Sequence, residues 1–562
     1  MLRRALALVL LCACGDDGGD TDDLTPDATM PDASADMASP GECTMGDPPS
    51  ADAVWTETGW VTGAAAGEAT RYLSIPFAAP PVGDLRFRAP ERAACWDGVF
   101  EATSIGPRCM QVEALGASAG SIIGEEDCLT LNVWVPNAEP PAGGFPVLFF
   151  IHGGAFIQGS ANQPLVAALP SSLFYEGRDL AAAGPAVVVS ANYRLGPFGF
   201  LAHPDLTAEA AGGSVSNWGL QDQRAALEWV QRNIEGFGGA PEQVTIFGES
   251  AGAVSVCAQL ASAGSRDLFD GAIMQSGLCT AEPIATAEAR GATRVAGSVC
   301  GDAADAIACL RGLTATELLE ELPGSTSVGS ISTGPSDGAF GPVQDGVFLE
   351  GLPSAVIASG DASGKRLVVG ANAEEMALFF AGVTVDTEED FEDAVTMGFS
   401  PFGSEVVDGV LATYDPGDYP TPKDALIAVY GDFRFVCSAR LTAQRAAEGG
   451  LESRLYHFRR RPVTPMGEQA ASHGIELLYV FGTLNDFPGF TPDPADAAVS
   501  VSMIDYWTLF AAGDLTGAPT AWPTYDDTTR EVLVFDDPLE GTTDLRGAEC
   551  DFWIPLYETV GL

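Results

Sequence analysis

At 562 residues and 46% apolar content, the chain can bury a large core, either as several domains or as one large α/β enzyme. Its 27 basic residues against 77 acidic ones give a formal net charge of −50, with lysine only at Lys365 and Lys423. Such a surface repels phosphate backbones, so nucleic acid is not an expected partner, and the acidity reads most simply as a means of solubility.

The chain opens as a targeting signal. Arg3 and Arg4 precede the apolar stretch Ala5 to Leu11, which is too short to cross a bilayer as a helix. Leu11-Cys12-Ala13-Cys14 resembles a bacterial lipoprotein lipobox. The resemblance implies cleavage before Cys14 and acylation of that residue, a firm anchor; an ordinary secretory signal is the alternative. The stretch that follows is rich in Asp, Ala, Pro and Ser and has too few apolar side chains to offset the entropy of ordering. The expected organisation is a signal segment over 1–13, an acidic disordered tether over 14–46, and one folded domain over 47–562.

Val54 to Val61 and Thr70 to Ile75 read as strands with turn residues between them. Pro76 to Phe87 is too rich in proline for a central strand. Glu126 to Pro136 alternates apolar residues and ends at a proline, as a strand would. Pro146 to Ile151 is a buried strand that runs into His152-Gly-Gly-Ala-Phe156, and Ala186 to Ser190 is another. Asn217 opens a helix whose Leu220, Leu227, Val230, Ile234 and Phe237 share one face. Val244-Thr-Ile-Phe247 is a short buried strand. It leads into Gly248-Glu249-Ser250-Ala251-Gly252, with a small, apolar helix after it.

Strand, sharp turn and helix fit a nucleophile elbow, in which Ser250 is held at a strained corner with its hydroxyl exposed. The N–H of Ala251, at the helix start, can donate to a developing oxyanion. A bare G-x-S-x-G is also what a Gly-Ser-rich loop gives by chance, and it is the flanking strand, the helix and the Phe237-Gly-Gly lead-in that favour the elbow. Gly271 to Ser276, Arg366 to Val369 and Arg454 to Phe458 supply later strands, which makes the whole a βαβ pattern with parallel pairing.

The block Phe237 to Gly252 resembles the active-site signature of the type-B carboxylesterase family, which includes carboxylesterases, cholinesterases and some lipases. Glu126 to Pro136 resembles that family's second signature, and Tyr506-Trp507, Trp522-Pro523 and Cys550 to Trp553 resemble its C-terminal part. The likeness runs from about residue 50 to the end. It implies an α/β-hydrolase fold: a large, mostly parallel central sheet with helices on both faces, and a small N-terminal antiparallel sheet. The irregular stretches 281–364 and 381–453 would form excursions around the site entrance.

The resemblance also implies the chemistry. Ester hydrolysis by serine needs a base, a carboxylate behind the base, and donors for the oxyanion. Of the four histidines, His152 sits inside the His-Gly-Gly turn, His203 precedes Pro204, and His457 alternates with apolar residues in a strand. His473, in Ser472-His-Gly-Ile-Glu476, resembles the family's catalytic-histidine loop. The triad acid belongs in Asn372-Ala-Glu-Glu-Met376; alignment favours Glu375, and Glu374 stays a rival because Met376 replaces the family's glycine. Gly154 and Ala155, with Ala251, are the implied oxyanion donors. No metal or cofactor is implied, and no C-x-x-C spacing supports a metal site.

Twelve cysteines include Cys12 and Cys14, and the even remainder favours disulfides in an exported protein. The family likeness implies Cys109–Cys128, Cys300–Cys309 and Cys437–Cys550. It leaves Cys43, Cys95, Cys257 and Cys279 open, Cys43–Cys95 with Cys257–Cys279 being one arrangement. Cholinesterases place a tryptophan for a quaternary ammonium between the first pair of cysteines. Met110 to Asp127 holds no aromatic residue, so choline esters are not expected.

The expected activity is a serine carboxylic-ester hydrolase acting on neutral, small to medium esters. A lipase with an apolar lid in Met110 to Asp127, or a non-catalytic surface-recognition relative, is the alternative. The expected location is the cell envelope, lipid-anchored at the periplasmic or outer surface, with secretion as the alternative.

Overall fold

A computed structural model describes residues 43–113, 119–165, 173–324, 339–464, 467–487 and 490–560. The signal segment, Cys14 and all but the last four residues of the expected tether lie outside these, as does part of the Met110 to Asp127 loop. Among the described residues no helix is long and apolar enough to cross a membrane.

The frame is an eleven-stranded sheet. Across it the strands lie in the order Glu540–Thr543, Glu531–Phe535, Glu452–Phe458, Arg366–Asn372, Gly271–Gln275, Gly239–Glu249, Phe145–Ile151, Val187–Ala191, Thr130–Pro136, Ala69–Pro76 and Ala64–Ala66. Every pairing from Glu531–Phe535 to Val187–Ala191 is parallel, and the pairings outside that block are antiparallel. The strand that leads to Ser250 is the middle one, with five strands on either side. In register, Gly248 pairs with Ile151 and Glu249 with Gln275, and Gln275 in turn pairs with Gly370. The strands of the parallel block therefore end along one rim.

The strand sequences show why both faces are covered. In Phe145–Ile151, Val147, Phe149 and Ile151 enter one core, while Leu148 and Phe150 enter the other. Such a run is apolar at every position because helices pack on both sides. On the first face lie the helices Trp218–Asn233 and Ala251–Ala261, and on the second Pro494–Ala512. Leu220, Leu227, Val230, Ile234 and Phe237 are all buried, as their helical spacing predicts.

The run Val54 to Val61 is not one strand. It folds into a hairpin, Val54–Thr56 against Gly59–Thr62, because Gly59 takes φ +146° and the rings of Trp55 and Trp60 meet edge to face across the turn. Val99–Glu101 joins this hairpin in parallel and completes a small N-terminal sheet. Both excursions expected as irregular contain helices. The first holds Ile284–Gly297, Ala306–Gly312 and Ala315–Glu321; the second holds Glu388–Phe399, Ser404–Thr413 and Pro422–Gly431. Capping boxes at Thr314/Glu317 and Thr387/Asp390 start two of these helices. A π-helical turn, Asp432–Val436, leads from the last of them into the helix Cys437–Glu448.

Five disulfides join Cys43 to Cys95, Cys109 to Cys128, Cys257 to Cys279, Cys300 to Cys309, and Cys437 to Cys550. The last ties the second excursion to the C-terminal helix Gly547–Val560.

The loop after Val187–Ala191 is fixed by a buried ion pair. Asp222 accepts from the Arg194 guanidinium at 2.7 and 2.8 Å and from the Arg194 backbone N–H at 3.0 Å, and both side chains are at most 3% exposed. Removing one partner strands the other charge in the core. Asp222→Ala is therefore expected to cost about 3–5 kcal/mol of folding stability, read as a lowered midpoint in urea unfolding.

Candidate active site

Ser250 stands at the turn between the central strand and the helix Ala251–Ala261, with φ +56° and ψ −121°. A non-glycine residue in such a conformation costs on the order of 1–3 kcal/mol and persists only where its surroundings enforce it. Those surroundings have no room for side chains. A Cβ on Gly252 would lie 2.0 Å from the Ile151 carbonyl oxygen, and one on Gly248 would lie 2.5 Å from that of Gly252. The elbow glycines are thus required by contact.

The neighbouring strand delivers the His152–Phe156 loop. Gly154, Ala155 and Phe156 all have positive φ, at 108°, 54° and 60°. A Cβ on Gly153 would sit 3.1 Å from that of Ser250, so this loop presses directly on the elbow. The backbone N–H groups of Gly154, Ala155 and Ala251 donate to no acceptor among the described residues. His152 does not face the elbow's hydroxyl. Its buried ring stacks on Tyr193 at 4.3 Å and contacts the Gly153 carbonyl, and burial pushes its pKa down to about 4. His203 caps the short helix Pro204–Glu209 by accepting from the Asp205 N–H. Buried His457 is likewise pushed down to about 4, by burial first and then by Arg459.

His473 follows the strand Glu452–Phe458, and Glu375 follows its neighbour on the side of the centre, Arg366–Asn372. His473 Nδ1–H donates to Glu375 Oε2 at 2.7 Å, and Glu375 Oε1 accepts from the Asn372 N–H at 2.7 Å. Glu375 is fully buried, and with both its oxygens engaged it sets the tautomer that leaves Nε2 as the free base. Glu374 turns the other way, toward Arg461. Met376 is buried in the core of the second excursion.

Nε2 lies 3.1 Å from Oε1 of Glu249, the residue beside Ser250, but neither atom makes a hydrogen bond among the described residues. The Ser250 hydroxyl makes no hydrogen bond to the ring among the described residues. Imidazole and elbow are thus brought together on one rim, with Nε2 uncommitted. Glu476 completes the surroundings, held by Gln275 Nε2 at 3.1 Å and by Asn372. Phe379 and Phe435 flank the imidazole at ring distances of 5.1 and 4.8 Å.

Three carboxyl groups around one buried ring shape its protonation. Burial pushes the Glu249 carboxyl up, opposed by His473 and aided by Glu476 and Glu375. Burial also pushes Glu476 up, as does Glu375. For His473, burial works against the charged form, but Glu249 and then Glu375 outweigh it and hold the imidazole above its usual range. The sequence places Glu249 only as the residue before Ser250 in the elbow and does not single out Glu476 or Phe435. Glu476 stood in plain view three residues after His473, whereas nothing local pointed to Phe435.

A serine at a strained strand-to-helix turn, beside a histidine backed by a buried glutamate, on a doubly covered parallel sheet, defines a serine hydrolase of the α/β-hydrolase fold. The sequence pattern of the carboxylesterase family matches residues 50–553, and the chain belongs to that family. It is a carboxylic ester hydrolase of the type-B group. It is 35% identical to an acetylcholinesterase of Bungarus fasciatus over 546 residues, which covers 89% of this chain and 85% of that protein. It is 34% identical to a cholinesterase of Mus musculus over 554 residues, 90% of this chain and 87% of that one. Among solved structures it is similar to a PNB esterase, with a TM-score of 0.74 and 32% identity, and to a thermophilic PNB esterase, with 0.75 and 31%. Each of these likenesses covers 89% of this chain and 99% of the other.

The carboxylate ring predicts a shift in pH dependence. With His473 as the proposed base, only its neutral form accepts a proton, and activity is expected to fall as pH drops through its pKa. Glu249→Gln removes the first of the groups that raise that pKa, and the acidic limb of the kcat/KM profile is expected to move about one unit toward lower pH.

Proposed function

We propose that the protein hydrolyses neutral, small to medium carboxylic esters through a Ser250–His473–Glu375 triad and an acyl-enzyme. The observation that carries the reading is the 2.7 Å bond from His473 Nδ1 to buried Glu375, on the rim where Ser250 stands. Nε2, which makes no hydrogen bond among the described residues, takes the Ser250 proton as Oγ attacks the ester carbonyl; such bonds often form only once substrate is bound. The N–H groups of Gly154, Ala155 and Ala251, which donate to no acceptor among the described residues, receive the oxyanion. Ionised Glu375 stabilises the imidazolium, which then protonates the leaving alkoxide. Water, deprotonated by the same Nε2, hydrolyses the acyl-enzyme and releases the acid.

The relatives named above include cholinesterases, but the lack of any aromatic residue in Met110 to Asp127 favours neutral esters over choline esters here. Phe379 and Phe435 provide an apolar wall beside the base, which suits unbranched acyl or alkyl groups. Glu249 and the net charge of −50 disfavour anionic esters. The chain is also proposed to be exported and held at the cell envelope by acyl groups on Cys14. The Leu11 to Cys14 pattern supports the anchor, and five disulfides fit an oxidising compartment.

Ser250→Ala is expected to lower kcat on p-nitrophenyl butyrate by on the order of 10⁴- to 10⁶-fold and to abolish labelling by a fluorophosphonate probe. Turnover undiminished in that variant would overturn the triad. Rates on esters of rising chain length, below and above their solubility, separate esterase from lipase: an esterase saturates before the substrate forms droplets. Cys14→Ser should move the protein from the membrane to the soluble fraction; retention at the membrane would overturn the anchor.

A further inference from the structure

Glu374, the neighbour of the triad acid, is built into the loop that carries the histidine. Its Oε2 accepts the Ala471 N–H at 2.9 Å, while its own backbone N–H donates to the Ala471 carbonyl at 3.0 Å. The Ala471 peptide units are thus gripped from both sides by one residue. The following positions are tied to the same segment, since Ser472 O accepts from Asn372 Nδ2 at 2.8 Å and the His473 N–H donates to Glu375 O at 3.3 Å. Arg461 forks onto Glu374, with Nη2 3.0 Å from Oε1 and Nε 3.0 Å from Oε2, and its Nη1 lies 3.7 Å from Glu468. The guanidinium fixes the carboxylate rotamer, and the carboxylate fixes Ala471, which is buried two residues before the imidazole.

We propose that Glu374, oriented by Arg461, is a positioning residue that sets the register of the His473 loop against Glu375. The inference rests on the triad reading above. A slip of the loop by one peptide would carry the imidazole about 3.8 Å along the chain, out of reach of Glu375. Misplacement of about 1 Å already costs on the order of 100-fold in rate. An ion pair as exposed as Arg461 and Glu374, with side chains 47% and 26% exposed, contributes little to folding stability. Its removal should therefore act on geometry rather than on the folded fraction.

The test is steady-state kinetics of Glu374→Ala, Glu374→Gln, Arg461→Ala and the Glu374→Ala/Arg461→Ala pair on p-nitrophenyl acetate and butyrate, at temperatures where each is folded by circular dichroism. Glu374→Ala should lose about 10- to 100-fold in kcat with KM changed less than about twofold, by the same factor on both esters. Glutamine keeps an acceptor for Ala471 but loses the charge, so Glu374→Gln should match Arg461→Ala, each losing about three- to tenfold. Arg461→Ala should add nothing on the Glu374→Ala background. A kcat for Glu374→Ala within twofold of the parent, while Ser250→Ala and His473→Ala are inactive, would overturn this inference and leave the triad standing. Turnover retained in His473→Ala would overturn both. Glutamine as damaging as alanine would overturn the acceptor role. If Glu374→Ala does not fold, Arg461→Ala decides: an unchanged kcat overturns the proposal, and a loss confined to kcat supports it.

Discussion

A single short contact, from the His473 ring to the buried carboxylate of Glu375, is what the rest of the site depends on. It joins loops from two neighbouring strands, so it exists only if the sheet closes in the right order and register. Glu375 has no exposure to water, and its second oxygen is taken by a backbone N–H from the strand end. In that setting a carboxylate gains more from the imidazole than it would at the surface, and the imidazole loses its freedom to turn. Everything nearer the substrate is arranged around a ring whose direction this contact decides.

The same ring sits among Glu249, Glu375 and Glu476, an uncommon density of buried acid. Neutral amides from Gln275 and Asn372 hold Glu476, and Trp507 in turn orients Gln275. The polar set behind the site is thus wired into the second hydrophobic core. The site is stiff at its back and open toward the elbow, where, among the described residues, Nε2 and three backbone N–H groups make no hydrogen bond.

Much of this was legible in the sequence, because the informative pieces are local. Strand, elbow and helix around Ser250 are written in one contiguous block, and the His473 loop is a short motif of its own. Only the family likeness favoured Glu375 over Glu374, and nothing in the local residues themselves explained that choice. Adjacent residues at a turn point in different directions, and only the backbone path decides which one meets the ring. Glu249 was read as a neighbour of the nucleophile, yet its side chain reaches the histidine because the elbow turns the chain back over the strand end. Phe435 reaches the site through one π-helical turn, a departure of a single residue that no periodicity announces. The excursions looked irregular because their alanines and glycines blur the apolar stripe, although the capping residues at Thr314 and Thr387 marked helix starts.

The elbow grows from the innermost of eleven strands, equally far from both open edges. Fraying begins at edges and termini, where backbone groups are easily rehydrated. Ser250 is therefore housed where local melting arrives last. The His473 loop, carried by the third strand from one edge, lies nearer that margin, so the imidazole is expected to lose its place before the elbow melts.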